Sequence, residues 1–587
     1  MNPQKTKSFR PTVGSSQPTH TWFVPNDGLR APARPDDQMH SKAARDAGSH
    51  RVRLLPWVCG LVVACFATRL NLMTRSLYRD EAWVVNSVLS PSLQGMFFYE
   101  KWLQTSPPLF LLLVRGSVGL FGTSEIALRL VPWLAAALSV VLFARALMRL
   151  FPATLAMLGT SLYLTNYWAL KYSQQVKQYS TDLLVSSLFF FLLVSHLTNG
   201  KRRSTFWALV FAGGFSVFLS YTAVFWFPAC LLVVAFATSE SAYPETAEFR
   251  TLGNRFADGA TLFLVYAACF GVADKIFIRP NRSASLVQFW ISDFIGRGGL
   301  FPSLFGFFRN ACDLMLPQLF HWSTILSYTC GGAILIALFR ALAAQLKGDK
   351  PGKIVLVVTT LPVITAVVAS YFREYPLLTK PRMIIWLLPI CSLLLVYAIE
   401  PLWIWLTAKA GIRASAPLTA AVTALICLVA VGLSFFVVER GRSNPLDDFR
   451  SGVLYLSRHS GPNDRVFVYA LGAEELNYYS QRLHWHPGSV FVGDTNLGCC
   501  LPGAPPVLED DRRRLGLEKD VHSFMQSAIG TTSWFLLQSG IHQELIVEHA
   551  RSESSAAGCR DVVTSKFEST ELLGFDCAAP AAKSGSN

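Results

Sequence analysis

The chain has 587 residues, of which 52% are hydrophobic and only 15% are charged. Soluble globular domains average about 25% charged residues, so this composition excludes an ordinary soluble protein and indicates a polytopic membrane protein with polar parts attached. The net charge of +14 does not indicate nucleic-acid binding, because membrane proteins concentrate Lys and Arg in cytoplasmic loops and tails.

The N-terminal region, residues 1–53, is rich in Pro, Ser, Arg and Lys and has little apolar periodicity, which predicts a disordered basic tail. By the positive-inside rule this tail is cytoplasmic, and the first span, about residues 54–72, leads to the external side. The apolar run from Pro107 to Phe121 is shorter than the roughly 20 residues that a span needs. We therefore predict an interfacial or re-entrant helix there, within a long external loop.

Ten further spans follow if the run Pro107–Phe121 does not cross the membrane. Their approximate bounds are 126–147, 152–170, 183–197, 206–220, 222–238, 258–278, 319–340, 354–371, 382–399 and 415–437. This count places the basic clusters at 201–203 and 347–353 in the cytoplasm, whereas one more span would place them outside. The predicted membrane domain, residues 54–438, thus has about eleven transmembrane helices plus interfacial helices.

The C-terminal region, residues 439–587, has the pattern of a small α/β domain, which the last span would export to the extracytoplasmic side. Segments 466–470 and 533–537 are predicted to be buried strands, and segments 472–482 and 541–553 are predicted to be helices. Cysteines at 499, 500, 559 and 577 lie in this domain. A bridge between Cys559 and Cys577 is an option in an exported domain, but the spacing does not fix the pairing.

Two adjacent carboxylates, Asp80 and Glu81, follow the first span in the external loop. Transfer of a sugar to a hydroxyl needs a carboxylate that takes the acceptor proton as the anomeric bond breaks. The structural alternative is an interfacial acidic pair that caps a helix beginning at Ala82. Lys101 lies in the same loop, where it would pair with a phosphate or anchor the loop by snorkelling.

A polar segment, Lys171–Asp182, separates two strongly apolar spans. Such concentrated polarity exceeds what a connection requires, so we predict that the segment contacts substrate. The side chains chosen for this role are Tyr172, Gln175, Lys177 and Tyr179. Asp182 is a further catalytic candidate, and its structural alternative is to cap the following helix.

Arginines are the predicted donor-phosphate ligands, because the guanidinium group binds phosphate in a bidentate manner. Arg279 and Arg282 lie in an aromatic-rich external loop that also contains Arg297 and Arg309. Arg382 follows Tyr375-Pro376 at the start of the tenth span. The alternative for each of them is an ordinary surface position.

These motifs resemble the GT-C superfamily of polyprenyl-phosphate-dependent glycosyltransferases, in the branch similar to aminoarabinose transferases and protein O-mannosyltransferases. The resemblance covers about residues 54–400. It is carried by Arg79-Asp80-Glu81-Ala82, Pro107-Pro108-Leu109, Arg129-Leu130-Val131-Pro132, Tyr172–Asp182, and Tyr375-Pro376 with Arg382 and Leu387-Leu388-Pro389.

The resemblance implies an inverting transferase that takes a sugar from a polyprenyl monophosphate on the external face of the membrane. Asp80 would correspond to the general base or acceptor-positioning group, and Asp182 to the acidic residue of the second loop. Lys101 follows Glu100 as a phosphate-contacting lysine does in aminoarabinose transferases, but the Pro that follows that lysine in those proteins is missing here.

The predicted protein is therefore a glycosyltransferase of the bacterial inner membrane, with a cytoplasmic N-terminus and a periplasmic or extracellular C-terminal domain. Its partners would be a polyprenyl-phosphate sugar donor, the bilayer, and a lipid, glycan or protein acceptor. The sequence identifies no cofactor with certainty. A divalent cation held by Asp80, Glu81 or Asp182 is the alternative to Lys and Arg for neutralising the leaving phosphate.

Two other classes of protein remain as alternatives. One is a transporter or flippase for a lipid-linked or small polar substrate, although such proteins typically carry mid-membrane charges and paired repeats. The other is a non-catalytic assembly or sensor protein built around the exported domain.

Overall fold

The computed structural model describes residues 55–99, 105–198, 202–236, 252–283, 287, 290–296, 298–315, 323–346, 350–378, 381–409, 416–442, 448–493, 510–538, 543–568 and 570–577. The predicted tail 1–53 lies outside these residues. The same is true of Lys101, Arg297, Cys499 and Cys500.

Helices dominate the described chain. In order they are α1 Leu55–Ala67, α2 Arg79–Val88, α3 Leu93–Phe97, α4 Pro108–Phe121, α5 Glu125–Leu150, α6 Ala153–Leu164, α7 Tyr167–Tyr172, α8 Tyr179–Thr198, α9 Arg202–Ala208, α10 Gly214–Ser216, α11 Phe227–Phe236, α12 Leu252–Ala273, α13 Leu300–Met315, α14 Ser323–Leu346, α15 Lys350–Tyr371, α16 Leu388–Lys409, α17 Ala416–Arg442, α18 Phe449–His459, α19 Ala470–Arg482, α20 Asp510–Ser527 and α21 Gln543–Ala556. Short 3-10 segments lie at Leu70–Thr74, Tyr221–Trp226, Ile291–Asp293 and Ile385–Leu387, and π turns at Leu209–Gly213 and Asp274–Ile278.

Seven helices in the described residues are long and apolar enough to cross a membrane, so the chain is a multi-pass membrane protein. They are Glu125–Leu150, Tyr179–Thr198, Gly253–Ile278, Tyr328–Leu346, Gly352–Tyr371, Ile385–Lys409 and Ala420–Val437. The predicted number of eleven spans is not confirmed.

The predicted number of spans exceeds the observed number because several apolar runs form helices that are too short or are interrupted. Three of the predicted spans correspond to Leu55–Ala67, Ala153–Leu164 and Tyr221–Ala235, which have 10–17 residues each. A fourth, at 206–220, is interrupted by the π turn Leu209–Gly213. At about 1.5 Å per residue, such helices fall short of a hydrocarbon core of about 30 Å. A short helix packed among other helices is as apolar as a helix that spans the membrane. Composition therefore does not distinguish a short buried helix from a true span.

The run predicted to be an interfacial or re-entrant helix is the 14-residue helix α4. Pro108 occupies its first turn, where a missing N–H costs nothing. It ends at Gly122, whose φ of +78° favours glycine. The Leu109 N–H donates to the Phe218 carbonyl at 2.8 Å, which ties the start of α4 to the segment before Tyr221.

Residues 448–577, hereafter the sheet domain, form the predicted small α/β unit. Its strands are β1 Arg465–Tyr469, β2 Ser489–Gly493, β3 Thr532–Leu537, β4 Arg560–Phe567 and β5 Thr570–Asp576. The strand order is β2-β1-β3-β5-β4, in which β1 pairs in parallel with β2 and β3, and β5 pairs antiparallel with β3 and β4. The disulfide Cys559–Cys577 links the start of β4 to the end of β5.

Successive side chains of β1 point to opposite faces of the sheet, and each face packs against its own apolar core. Phe467 and Tyr469 face a core formed with α20 and α21. Val466 and Val468 face a second core, which the sheet domain shares with α2 and α4 of the first loop. The first loop and the sheet domain therefore fold as one apolar unit, and this unit positions the start of α2.

Candidate functional site

The two adjacent carboxylates lie in the first turn of α2. Tyr78 precedes the helix in an extended conformation, and its N–H donates to Glu81 Oε2 at 2.9 Å, one half of a capping box. Negative charge is favourable at this end of a helix. The helix begins at Arg79, three residues before the predicted start at Ala82, so both carboxylates are helical.

Glu81 is buried and forms a bidentate ion pair with Arg129 of α5. The two nitrogens of Arg129, Nε and Nη2, lie 3.0 and 2.8 Å from the carboxylate oxygens, and both side chains are 2% exposed. The backbone N–H of Val176 also donates to Glu81 at 2.8 Å. Each carboxylate oxygen thus has two donors, so Glu81 is fully occupied by the protein itself.

Arg129 also fixes the chain that precedes α2. Its guanidinium donates to the carbonyl oxygens of Met73, Arg75 and Ser76 at 2.7–3.1 Å. The pair therefore connects α5, α2, the polar segment at Val176 and the segment 73–76. This environment favours the supporting role for Glu81 over direct chemistry, because no surface of its carboxylate is left for a substrate.

Asp80 forms an ion pair with Arg382, in the turn before the 3-10 segment Ile385–Leu387. The Arg382 Nη1 lies 3.2 Å from Asp80 Oδ2, and the two side chains are 27% and 25% exposed. The guanidinium carbon of Arg382 lies 5.2 Å from the centre of the Trp290 ring. Its Nε is buried and donates no hydrogen bond within the part of the chain that the structure describes. Arg382 therefore retains capacity for a second anionic ligand.

Two tyrosines of the polar segment surround this pair. Tyr172 and Tyr179 have ring centres 4.8 Å apart, and both interact electrostatically with Arg382 and with Asp80. Burial raises the pKa of Tyr172 well above its ordinary value, so its hydroxyl remains a neutral hydrogen-bonding group at physiological pH. The predicted residues Asp80, Arg382, Tyr172 and Tyr179 are thus brought together.

Asp182 is buried and interacts electrostatically with Tyr179. Its Oδ1 accepts a hydrogen bond from Ser220 Oγ at 2.5 Å. Helix α8 begins at Tyr179, so Asp182 lies in the first turn and does not cap the helix. Tyr375 interacts electrostatically with Asp182 and Tyr179, and its hydroxyl donates to the Met383 carbonyl at 2.7 Å. Asp182 is therefore linked to the segment that carries Arg382.

The rest of the polar segment packs against α2. Lys177 Nζ lies 5.9 Å from the centre of the Trp83 ring. The carbonyl oxygen of Gln175 accepts from the Lys177 N–H at 2.7 Å, which makes a tight local turn. Ser106 Oγ donates to Gln178 Oε1 at 3.2 Å and links the first loop to this segment.

Arg279 and Arg282 are held by other carboxylates. Arg279 pairs with Asp274 at 2.6 Å and is 72% exposed. Arg282 pairs with Glu374 and donates to the carbonyl of Arg373 at 3.1 Å. The structure gives neither of them a contact with Asp80 or Arg382, so Arg382 is the described candidate that lies beside Asp80.

Each of the candidate metal ligands has a different protein partner. Asp80 pairs with Arg382, Glu81 with Arg129, and Asp182 with Ser220. Within the described ranges, no group of three or more His, Cys, Asp and Glu residues could hold a metal ion.

Sequence reasoning missed the partner of Glu81 and the groups around Arg382 and Asp182. Arg129 was visible only as part of a motif, although an arginine inside an apolar run predicts a buried partner. Ser220 and Trp290 gave no signal in the sequence, because they lie far along the chain from the groups that they contact.

A family model described as dolichyl-phosphate-mannose-protein mannosyltransferase matches residues 105–246. This segment contains α5 and α8, and with them Arg129, Tyr179 and Asp182. No curated protein sequence matches the chain.

Among solved structures, the chain is similar to ArnT from Cupriavidus metallidurans bound to undecaprenyl phosphate. The TM-score is 0.50 at 13% identity, over 89% of this chain and 97% of that chain. Against the apo state of ArnT the TM-score is 0.50 at 15% identity, over 91% and 100% of the two chains. The Archaeoglobus fulgidus oligosaccharyltransferase AglB, in complex with an inhibitory peptide and a dolichol-phosphate, gives a TM-score of 0.43 at 11% identity, over 90% and 75%, which is too low to carry a conclusion.

The fold is therefore ArnT-like, with a helical membrane region followed by a small sheet domain. The resemblance to polyprenyl-phosphate-dependent glycosyltransferases of the GT-C superfamily, predicted from short motifs, is confirmed by the family model and the fold together.

Proposed function

We propose that this protein is an integral-membrane glycosyltransferase that moves a sugar from a polyprenyl-phosphate donor to a hydroxyl or amine of a lipid, glycan or protein acceptor. The observation that carries the proposal is the Asp80–Arg382 pair. It places a partly exposed carboxylate beside a guanidinium with unused donor capacity, in a chain whose fold resembles that of ArnT bound to undecaprenyl phosphate.

In the proposed reaction Asp80 acts as the general base. The acceptor atom attacks the anomeric carbon while its proton passes to the Asp80 carboxylate, and the bond between the anomeric carbon and the phosphate oxygen breaks. The electron pair of that bond remains on the polyprenyl phosphate. Attack on the face opposite the leaving phosphate inverts the anomeric configuration. Proton transfer of this kind contributes about 10²–10⁴-fold to a rate.

Arg382 would stabilise the leaving phosphate. Its Nε, which has no hydrogen-bond partner in the described part of the chain, forms with the two terminal nitrogens a planar donor set. Such a set suits a phosphate better than a single ammonium would. Trp290, whose ring lies near the guanidinium, holds its orientation. Asp80 and a phosphate on Arg382 would then flank the position of the sugar.

The two tyrosines and the buried Asp182 would complete the site. Tyr172 and Tyr179 are neutral donors near both charged groups and would hydrogen-bond the sugar or its phosphate. Asp182 would hold Ser220 and the Tyr375 region in place rather than contact the sugar. Lys177, near Trp83 on α2, would add positive charge at the entrance to the site.

We further infer that the site is on the external side of the bacterial inner membrane, as the basic clusters at 201–203 and 347–353 indicate. The donor's prenyl tail would remain in the bilayer while its phosphate and sugar reach the membrane edge. Cysteines introduced at Gly200 and Gly348 should be labelled only from the cytoplasm. Labelling of either position from the outside would contradict this orientation.

The main test of the function is Asp80→Asn. Membranes that contain polyprenyl-phosphate sugars radiolabelled in vivo would be incubated with the purified protein, and transfer to endogenous acceptors would be measured. We expect the rate to fall about 10²–10⁴-fold, with an unchanged thermal midpoint, because the Asn side chain keeps the shape of Asp. Wild-type transfer by the folded variant would refute Asp80 as base.

The same assay separates the transporter alternative. A flippase or transporter would move the labelled lipid or sugar across sealed vesicles without forming a glycosylated product. Such flux, together with the absence of product in the wild type, would replace the proposed function.

A further inference from the structure

The segment Thr74–Tyr78, which leads directly into Asp80, is held from two sides. From the membrane region, Arg129 holds its carbonyl oxygens and Glu81 holds the Tyr78 N–H. The other side is the sheet domain, whose residues follow in the chain by more than 370 positions. The contacts from the sheet domain are separate from the Asp80–Arg382 site and its surroundings described above.

Tyr479 of α19 makes the most direct of these contacts. Its hydroxyl oxygen accepts the Leu77 N–H at 2.7 Å and the Ser76 hydroxyl at 3.3 Å. Tyr479 is 0% exposed. Without this oxygen the Leu77 N–H would be a buried donor with no partner, and an unpaired buried donor of this kind costs about 1–3 kcal/mol.

Arg450 of α18 adds two further contacts to the same segment. Its backbone N–H donates to Ser76 Oγ at 3.2 Å, and its guanidinium donates to the Thr74 carbonyl at 2.9 Å. The guanidinium also lies 3.1 Å from Glu125, at the start of α5. Arg482 of α19 pairs with the same carboxylate. The sheet domain therefore also holds the helix that carries Arg129, one turn further on.

The far end of α2 is held by the same helix α19. Glu474 accepts hydrogen bonds from Asn86 Nδ2 at 2.5 Å and from the Tyr99 hydroxyl at 2.8 Å. The Glu474 carbonyl also accepts from Asn86 at 2.8 Å. Between these two ends, α2 packs along α19 through the shared apolar core. Both the position and the direction of α2 are thus set by the sheet domain.

We propose that the sheet domain positions the Asp80 corner, with Tyr479 and Glu474 as positioning residues for the transfer reaction. This inference rests on the proposed function. Neither residue contacts Asp80 or Arg382, so each acts through α2 and the segment before it. Functional groups need placement within about 0.5 Å, and a displacement of about 1 Å costs about 10²-fold in rate.

The first test is Tyr479→Phe in the full-length protein, which removes one oxygen and keeps the packed ring. We expect kcat for transfer from the radiolabelled polyprenyl-phosphate sugars to fall about 10-fold or more, with KM for the donor within about twofold. Binding of undecaprenyl phosphate should be unchanged, because Arg382 is untouched. Tyr455→Phe is the matched control, since Tyr455 lies on α18 of the same domain and stacks on His459.

The second test compares two substitutions of Glu474. Glu474→Ala removes both side-chain hydrogen bonds to Asn86 and Tyr99, whereas Glu474→Gln keeps an acceptor oxygen in the same place. We expect kcat to fall with Ala and to recover in large part with Gln. Size-exclusion chromatography and the thermal midpoint would establish the folded fraction, to which each rate is normalised.

The outcomes separate this inference from the proposed function. If Asp80→Asn transfers at the wild-type rate, the proposed function fails first. If Asp80→Asn is inactive while folded Tyr479→Phe and Glu474→Ala keep wild-type kcat, only the positioning role is overturned. A rise in KM with unchanged kcat, or a loss of rate that merely follows the loss of folded protein, would also overturn it.

Discussion

Two ion pairs begin at neighbouring positions of one helix and have opposite environments. The Glu81–Arg129 pair is 2% exposed on both sides, and every carboxylate oxygen is satisfied by the protein. The Asp80–Arg382 pair is about one-quarter exposed, and the Nε of its guanidinium has no hydrogen-bond partner among the described residues. Successive helical residues point about 100° apart, so one carboxylate faces the core and the other faces the site. Burial and hydrogen-bond saturation, rather than residue type, are the reasons for proposing Asp80 as the base and Glu81 as its structural support.

Beyond Asp80 itself, the largest effect on transfer is expected from Arg382→Gln. It removes the positive charge proposed for the leaving phosphate, and loss of one such stabilising donor costs about 10²–10³-fold in rate. Binding of undecaprenyl phosphate to the purified protein, measured by calorimetry, should weaken in parallel. Arg382→Lys keeps the charge without the planar donor set and should recover part of the binding. Wild-type binding by Arg382→Gln would move the phosphate site elsewhere.

The substitution Glu81→Gln should mainly affect stability, in contrast to substitutions of the Asp80–Arg382 pair. It leaves Arg129 buried without its anion, and the loss of one partner of a buried pair costs about 3–5 kcal/mol of stability. We expect a lower thermal midpoint and a lower yield in detergent, with the remaining folded protein still active. Asp80→Asn is the matched control and should keep the wild-type midpoint. A stable but inactive Glu81→Gln would restore Glu81 as a catalytic residue.

The smallest effects are expected from Arg279→Gln and Arg282→Gln. Both arginines pair with carboxylates outside the Asp80 cluster, and exposed ion pairs contribute only about 0–1 kcal/mol. Transfer rate and undecaprenyl phosphate binding should each stay within about twofold of wild type. A loss of binding greater than tenfold in either variant would show that the original prediction of a wider phosphate cluster was right.

The local features of the fold were predictable because they depend on neighbouring residues. The α/β character of the sheet domain, with strands at Arg465–Tyr469 and Thr532–Leu537, followed from short apolar runs between polar ones. The helix at Pro108–Phe121 followed from its length and its Pro-Pro start. The number of spans did not, because buried short helices and true spans share an apolar composition.

The pairings of the site were not predictable from spacing. Asp80 lies 302 residues from Arg382, and Glu81 lies 48 residues from Arg129. Residue type alone nominated both Asp80 and Glu81, the family resemblance favoured Asp80, and the structure adds the difference in their burial. The prediction for Arg279 and Arg282 has the same weakness. The sequence does not reveal that each of them pairs with a carboxylate of its own, Asp274 and Glu374 respectively.

The strand order of the sheet domain has a consequence for how this protein is made. Strand β5 is the last of the described strands in sequence, yet it lies inside the sheet, between β3 and β4. The sheet is therefore incomplete until the residues up to Asp576 have been synthesised, and the Cys559–Cys577 bond can close only after that. Because α19 rests on this sheet, the support of the corner at Asp80 would be complete only once β5 has been made, although that corner lies near residue 80.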